Sequence, residues 1–341
     1  MTTILVCGGA GYIGAHMCKL LAHSGHNPVV LDNLSTGHRQ AVKWGPLVQA
    51  DLLDAEALRQ VFTQYRVDAV MHFAARSLVG QSVADPALYF RNNVTGTLNL
   101  LDAMRAAGVD RLIFSSTAAV YGQPDYSPID EAHPTRPINP YGWSKLMAER
   151  MMAEHCRAYG LRAAALRYFN AAGADPDGEI GEAHEPETHL IPNVLRAALD
   201  PSASPLSIFG DDYDTPDGTC VRDYIHVSDL CAAHLLALRH LDTHAGWHVF
   251  NLGTGNGNSV AEVLSACRAL HGGRPPATVQ PRRPGDPARL VASAARAREV
   301  LGWQPRFGLA DCIGSASRWH GKQASAHGTA PIGAGDHDGV H

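Results

Sequence analysis

The chain reads as an α/β protein, a Rossmann-type doubly wound parallel sheet with a smaller α/β substrate-binding lobe. Three observations predict this. Short apolar strands alternate with helix-length segments through the first half, the pattern of a parallel sheet covered by helices on both faces. The first strand runs directly into a glycine-rich turn, Gly8-Gly9-Ala10-Gly11-Tyr12-Ile13-Gly14. The second strand ends in an acidic residue, Asp32.

Taken in order, Thr3–Cys7 is the first strand and Tyr12–Ser24 a helix closed by Gly25. Val29–Leu31, Leu47–Ala50, Ala69–Phe73 and Leu112–Ser115 are the next four strands. Helices are expected at Ala55–Tyr65 and Pro86–Ala107, the second closed by Gly108. Tyr141–Tyr159 follows, with Asn139 as N-cap, Pro140 in the first turn and Gly160 at the end, as helix termini prefer. Arg162–Arg167 is a sixth strand. Residues 171–188, rich in Gly, Ala, Pro and acids, read as a loop. Beyond them lie a helix near Pro192–Leu199, strands at Leu206–Phe209 and Val221–Tyr224 around a polar loop at Gly210–Thr219, and a helix at Ser228–Leu241. A strand at His248–Asn251, a helix at Val260–Leu270, a proline-rich link at Arg274–Pro287 and a helix at Ala294–Leu301 complete the pattern. The expected division is 1–172 for a nucleotide-binding domain rejoined by 225–252, and 173–320 for a second lobe. Residues 321–341 are expected to be a disordered tail.

With 341 residues the chain has room for two domains. It is 45% apolar and 18% charged, an ordinary soluble composition. Net charge is −5 without a basic run, which argues against nucleic acid and against an anionic membrane surface as partners. No apolar stretch has membrane-spanning length and no basic leader precedes Ile4, so a cytoplasmic protein without a signal peptide is expected. The seven cysteines form no CxxC pair and no zinc spacing, in keeping with reduced thiols. Of nineteen histidines, His320, His327, His337 and His341 crowd the end of the chain. No metal site is expected there, because no apolar periodicity organises the segment, or among the dispersed histidines elsewhere.

In the glycine turn, Gly8 permits a tight bend, Gly11 lets a pyrophosphate approach the backbone, and Gly14 lets helix pack on strand. The helix start then offers free N–H groups and a partial positive charge. Asp32 stands where a carboxylate meets the adenosine ribose, and it would repel a 2′-phosphate, so the expected cofactor is NAD rather than NADP. Asp51, after the third strand, suits either an adenine contact or a plain turn.

Tyr141 and Lys145 are one helical turn apart and share a face. A phenol titrates near ~10 in water, and a neighbouring cation lowers that value. The pair therefore suits a tyrosine that takes and returns a proton; by itself it suits a solvent-facing amphipathic helix equally well. Ser115, Ser116 and Thr117 follow the fifth strand and add hydroxyls to the set.

The Ser/Thr–Tyr–Lys set behind a glycine turn resembles the extended short-chain dehydrogenase/reductase family. GGAGYIG (Gly8–Gly14), FSSTAAVYG (Phe114–Gly122), YGWSK (Tyr141–Lys145), LRYFN (Leu166–Asn170), VRDYIH (Val221–His226), NLGTG (Asn251–Gly255) and PRRPGD (Pro281–Asp286) fall in the order of the UDP-galactose 4-epimerases and span most of residues 1–320. The resemblance implies reversible 4-epimerisation of UDP-glucose and UDP-galactose through a transient 4-keto sugar, with NAD retained and the protein a homodimer. Tyr141 would be the base and acid, Lys145 would bind the nicotinamide ribose and lower the Tyr141 pKa, and Thr117 would replace the usual serine. Tyr12, Ile13, Asn33, Leu52, Phe73, Ala74, Asn92, Ser115 and Tyr168 would join Gly8, Gly11, Gly14, Asp32 and Asp51 at the cofactor. Asn170, His189, Leu190, Phe209, Arg222, Arg283 and Asp286 would join Thr117 and Tyr141 at the UDP-sugar, the two guanidinium groups gripping the diphosphate. Arg222 could instead pair with the adjacent Asp223 at the surface. Three positions depart from the pattern: Ser77 where some members carry lysine, His189 where asparagine is usual, and Leu290 where a large aromatic residue stands in some. A smaller side chain at 290 would admit an N-acetyl sugar, so another UDP-sugar (N-acetylhexosamine, pentose or uronic acid) is the competing substrate. A nucleotide-sugar dehydratase of this family carries Asp-Glu after the strand-end threonine, and this chain has Ala118-Ala119. A non-catalytic NAD-binding regulator would not need Thr117, Tyr141 and Lys145 together.

Overall fold

The computed structural model describes residues 1–200, 205–272, 275–283 and 286–327. Arg274 of the proline-rich link, Pro284 and Gly285 of PRRPGD, and residues 328–341 of the expected tail with His337 and His341 lie outside the described residues.

The strands are β1 (Thr3–Cys7), β2 (Asn27–Asp32), β3 (Leu47–Gln49), β4 (Ala69–His72), β5 (Arg111–Thr117), β6 (Arg162–Tyr168), β7 (Asn170–Ala172), β8 (Leu206–Phe209), β9 (Val221–Arg222), β10 (Tyr224–His226), β11 (Trp247–Leu252), β12 (Asn258–Ser259), β13 (Ala277–Gln280) and β14 (Arg289–Leu290). The helices are α1 (Tyr12–His23), α2 (Ala55–Gln64), α3 (Val79–Ala84), α4 (Pro86–Tyr89), α5 (Gly96–Ala107), α6 (Pro140–Tyr159), α7 (Leu190–Leu199), α8 (Val227–His240), α9 (Val260–Leu270), α10 (Ala295–Leu301) and α11 (Leu309–His327).

Seven strands form one parallel sheet in the order β11-β6-β5-β4-β1-β2-β3, the doubly wound arrangement the alternation predicts. Successive side chains of a strand point to opposite faces. Ile4 and Val6 accordingly pack with α1 and α8 in one core, and Leu5 and Cys7 pack with α2, α5 and α6 in another. The carboxyl ends of β1, β4, β5 and β6 meet at one edge of the sheet, where ligands of such folds bind.

Several elements differ from expectation. The helix foreseen at Pro86–Ala107 is interrupted by a π turn over Phe90–Thr95. The extra residue in that turn brings Asn93 inward, where it accepts from Arg76 N (2.8 Å) and donates to Arg76 O (3.0 Å) and to Ser144 Oγ (2.9 Å). The strand foreseen at Val221–Tyr224 divides at Asp223, and a strand beside β10 runs over Asn170–Ala172, into the start of the expected 171–188 loop. Ala297, Leu301 and Trp303 pack into the core beneath α8 rather than into the lobe. The tail expectation fails over residues 321–327, which continue α11. The reason is legible: Leu309, Cys312, Ile313 and Ala316 repeat at helical spacing and pack with Ile191, Val194 and Leu195 of α7 and with Val263, Leu264 and Cys267 of α9. His320, expected in a solvated tail, is buried.

Candidate active site

The glycine turn is built by close approach. Gly8 has φ +81°, and a Cβ there would lie 2.6 Å from the Ala74 backbone nitrogen. A Cβ on Gly14 would lie 2.1 Å from Gly8 O. At Gly11, by contrast, a Cβ would meet only Gly8 O at 3.4 Å, so this face of the turn is open to a ligand. Gly11 is the N-cap of α1 and gives no side-chain cap, which leaves first-turn N–H groups for an anion. Asp32, buried at the end of β2, accepts from Ala10 N through Oδ2 (3.0 Å) and from Leu34 N through Oδ1 (2.8 Å). Burial raises its carboxyl above the ordinary range, opposed by those two N–H groups. Two oxygens with one bond each keep lone pairs for ribose hydroxyls. This donor and acceptor set fits NAD.

The residues expected at the cofactor have structural duties of their own. Asn33 donates to Asp51 Oδ2 (2.7 Å), and Asp51 Oδ1 accepts from Leu53 N (2.8 Å), so Asp51 does cap a turn. Leu52 is buried beneath Gly96. Tyr12 donates its phenol to Gly173 O (2.6 Å), and Ile13 is half-buried against the core. Phe73 packs on His234. Asn92 donates to Asn93 Oδ1 (2.9 Å), so the better anchored amide is its neighbour, which sequence reasoning missed. Ser77 is exposed.

Asn139 caps α6 as expected, its Oδ1 accepting from Gly142 N (2.8 Å). Gly142 is required because a Cβ there would lie 2.5 Å from Ala119 O. That approach sets Tyr141 against the turn after β5, where its phenol is hydrogen-bonded to Thr117. Thr117 Oγ1 also accepts from Ala119 N (3.1 Å). Ser115 Oγ is bonded to the Tyr168 hydroxyl. Lys145 is buried, donates to Ser115 O (2.8 Å) and lies 4.7 Å from the centre of the Phe114 ring.

The expected pKa relation between Tyr141 and Lys145 is not found without ligand. Burial pushes the Tyr141 phenol up to about 12, with Thr117 pulling down and Tyr89 pushing up, and Lys145 is not among the groups that act on it. Burial pulls the Lys145 amine down to about 7, with Glu149 opposing.

A cavity of about 600 Å³ opens beyond β7 and gathers Asn170, His189, Leu190, Phe209, Arg222, Arg283 and Asp286 along its walls. Thr117 and Tyr141 do not line it. Thr117 is instead the register partner of Tyr168, two residues before Asn170. Arg222 pairs with Asp286 (3.2 Å) rather than with Asp223, and also donates to Val221 O and Pro287 O (both 2.9 Å). Asp223 turns inward and accepts from Thr254 N (2.8 Å), Thr254 Oγ1 (2.7 Å), Gly255 N (3.1 Å) and Ala292 N (3.2 Å). The Arg283 guanidinium lies 3.9 Å over the Phe209 ring, a cation–π contact. Asn170 Nδ2 donates to Asp223 O (3.3 Å). Leu290 is the register partner of Arg222 and packs with Phe169 on Val120, Tyr121, Ile129 and Leu146. His189 stands between two carboxylates, Glu182 and Glu187, both at 2.9 Å. Burial works to lower its imidazole, but the carboxylates outweigh this and raise it to about 10.

A buried polar chain that sequence reasoning missed braces the site. Arg167 donates to Glu149 Oε1 (2.9 Å) and Oε2 (2.5 Å) and to the Tyr121 hydroxyl (3.0 Å). Ser116 Oγ donates to Glu149 Oε1 (2.6 Å), and Tyr121 donates to Asn251 Oδ1 (2.6 Å). The available signal was a charged residue in each of two otherwise interior segments.

The sequence pattern of the NAD dependent epimerase/dehydratase family matches residues 4–253. The chain belongs to that family. The family's cofactor bears out the expected NAD. A UDP-glucose 4-epimerase of Lacticaseibacillus casei is 51% identical over 320 residues, 93% of this chain and 96% of that protein. Among solved structures, the UDP-glucose 4-epimerase of Brucella ovis in complex with NAD has TM-score 0.91 and 51% identity, covering 93% of this chain and 98% of that one. The Bifidobacterium longum UDP-glucose 4-epimerase in complex with NAD+ and UDP has TM-score 0.90 and 39% identity, covering 95% and 99%. The epimerase/dehydratase fold expected from the sequence is therefore the fold found. Among the described residues no helix is long and apolar enough to cross a membrane.

Proposed function

We propose that the chain catalyses reversible 4-epimerisation of UDP-glucose and UDP-galactose with NAD held throughout the cycle. The observation that carries this reading is the position of Tyr141. Its phenol is bonded to Thr117 at the carboxyl end of β5, in the sheet whose first strand runs into the glycine turn, and Thr117 pairs in register with Tyr168, two residues before Asn170 of the arginine-lined cavity. NAD, when bound, supplies the acceptor and donor for the hydrogen on sugar C4. Tyr141 takes the proton of the 4-hydroxyl and gives it back to the 4-keto oxygen after the sugar has turned its other face. Thr117 orients the phenol and holds the same hydroxyl. Lys145, one turn along α6, is the group we assign to the nicotinamide ribose and to lowering the phenol from about 12 once ligands are in place. Arg222 and Arg283 retain the diphosphate while the keto sugar turns.

Residues 1–172 with 225–252 would carry the cofactor and residues 173–320 the UDP-sugar. Loss of dehydratase chemistry is supported by Ala118-Ala119, which offer no carboxylate beside Thr117. A second substrate class, the UDP-N-acetylhexosamines, is favoured by one observation, the modest side chain of Leu290 beside Arg222. Cytoplasmic location and a homodimer belong to the same proposal. The test is incubation of the purified chain, without added cofactor, with UDP-galactose, UDP-N-acetylgalactosamine and UDP-xylose, each product read by NMR. Formation of UDP-glucose from UDP-galactose is expected. Conversion of none would favour a non-catalytic NAD-binding protein.

A further inference from the structure

We propose that Glu182, His184, Glu187 and His189 form a site for one divalent transition-metal ion of the zinc class, set beside the wall of the sugar-nucleotide cavity. One donor atom from each side chain lies within 4.8 Å of all the others. His184 Nδ1 stands 3.2 Å from Glu182 Oε1 and 3.8 Å from Glu187 Oε2. His189 Nδ1 stands 2.9 Å from Glu182 Oε1 and 2.9 Å from Glu187 Oε1. Nitrogen and oxygen donors about 2.0–2.2 Å from a tetrahedral zinc stand roughly 3.3–3.6 Å from one another, and the four gaps straddle that span. A second observation points to a ligand. The Glu187 side chain is 1% exposed, yet its Oε2 has no hydrogen-bond partner among the described residues, and it faces His184 Nδ1, also shut from solvent, across 3.8 Å. A buried carboxylate oxygen left unbonded is costly, and one cation between it and His184 Nδ1 satisfies it.

The donor set selects the ion. Imidazole nitrogen with carboxylate oxygen suits zinc and its neighbours, whereas calcium and magnesium prefer oxygen alone. The half-exposed rings of His184 and His189 leave an entry path. In the other carboxylate cluster, Asp175, Asp177 and Glu179, the Lys19 ammonium sits 2.6–2.9 Å from all three and offers no ligand atom, whereas His189, held between Glu182 and Glu187, becomes a ligand by releasing the proton on its Nδ1. The expectation of no metal site overlooked the spacing E-x-H-x-x-E-x-H over residues 182–189. Glu182 and His189 also line the cavity, and His189 is the N-cap of α7, so the ion would tie the cavity wall to that helix.

The test is metal analysis of the full chain after dialysis against metal-free buffer, with Co²⁺ titration read by visible absorption. About one zinc per chain and an intense tetrahedral Co²⁺ band are expected. His184→Asn and Glu187→Gln should each lower metal affinity roughly tenfold or more, while His184→Cys, which keeps a zinc-class donor, should restore binding. The tail variant His337→Ala/His341→Ala should bind as the parent does. No retained ion and no Co²⁺ band in the parent chain would overturn the site. So would binding unchanged in both Glu187→Gln and His184→Asn, or binding lost in the tail variant.

Discussion

At the scale of residues, the proposed chemistry rests on Tyr141, and Lys145 shapes the pH dependence of stability. Removing the phenol hydroxyl in Tyr141→Phe should lower turnover by about 10²–10⁴-fold while co-purified NAD stays at the parent level. Unchanged turnover would remove Tyr141 from the reaction. Lys145 makes a different kind of prediction. The free amine titrates at 10.5 and the buried one at about 7. Between those values the folded chain binds fewer protons than the unfolded chain, so this group's contribution to stability rises as pH rises through the window. Below about 7 both states are protonated and the burial penalty is constant. The melting temperature of the cofactor-free parent should therefore gain on that of Lys145→Met from about pH 7 to about pH 9, and parallel curves would contradict the shift. The residues themselves were legible because glycine, Asp32 and the Tyr–Lys spacing each carry a physical reason for their place. The unliganded electrostatics were not, because burial, a tertiary property, outweighs the four-residue proximity of Tyr141 and Lys145.

At the scale of elements, α6 is held in place by a charge pair the sequence did not announce. Glu149 on α6 and Arg167 on β6 are both buried and mutually hydrogen-bonded, and the chain of bonds continues through Tyr121 to Asn251 on β11. Removing one member leaves the other charge buried, at a cost of about 3–5 kcal/mol. Glu149→Gln should show a loss of that order in urea unfolding, and a Glu149→Met/Arg167→Met double variant should recover part of it. A loss no larger in the single variant than in the double would refute the pairing argument. Strands and helices of the sheet were readable from apolar periodicity. The π turn at Phe90–Thr95 was not, since helical periodicity continues across it and only the inward demand of Asn93 for Arg76 and Ser144 reveals it. The final helix was readable in principle, and the abundance of Gly, Ser and His around it concealed the Leu309–Cys312–Ile313–Ala316 repeat.

At the scale of the whole molecule, the sheet edge and the cavity meet across β6 and β7. Tyr168 closes the β5–β6 register opposite Thr117, and Asn170 begins the wall of the cavity two residues later. This geometry needs long-range pairing of β7 with β10 and of β9 with β14, which no local pattern encodes. It also brings Leu290 beside Arg222 and against the cluster of Val120, Tyr121, Ile129 and Leu146. Leu290→Tyr should lower turnover of UDP-N-acetylgalactosamine more than that of UDP-galactose, and an equal effect on both would dismiss a size gate there. The central claim is that one proton shuttle and one retained cofactor act on sugar C4 without exchange. UDP-galactose deuterated at C4, incubated with the chain in ordinary water without added NAD, tests it most directly. UDP-glucose that keeps the deuterium at C4 is the predicted product. Deuterium lost to solvent, or passed between sugar molecules, or no UDP-glucose at all, would contradict the account.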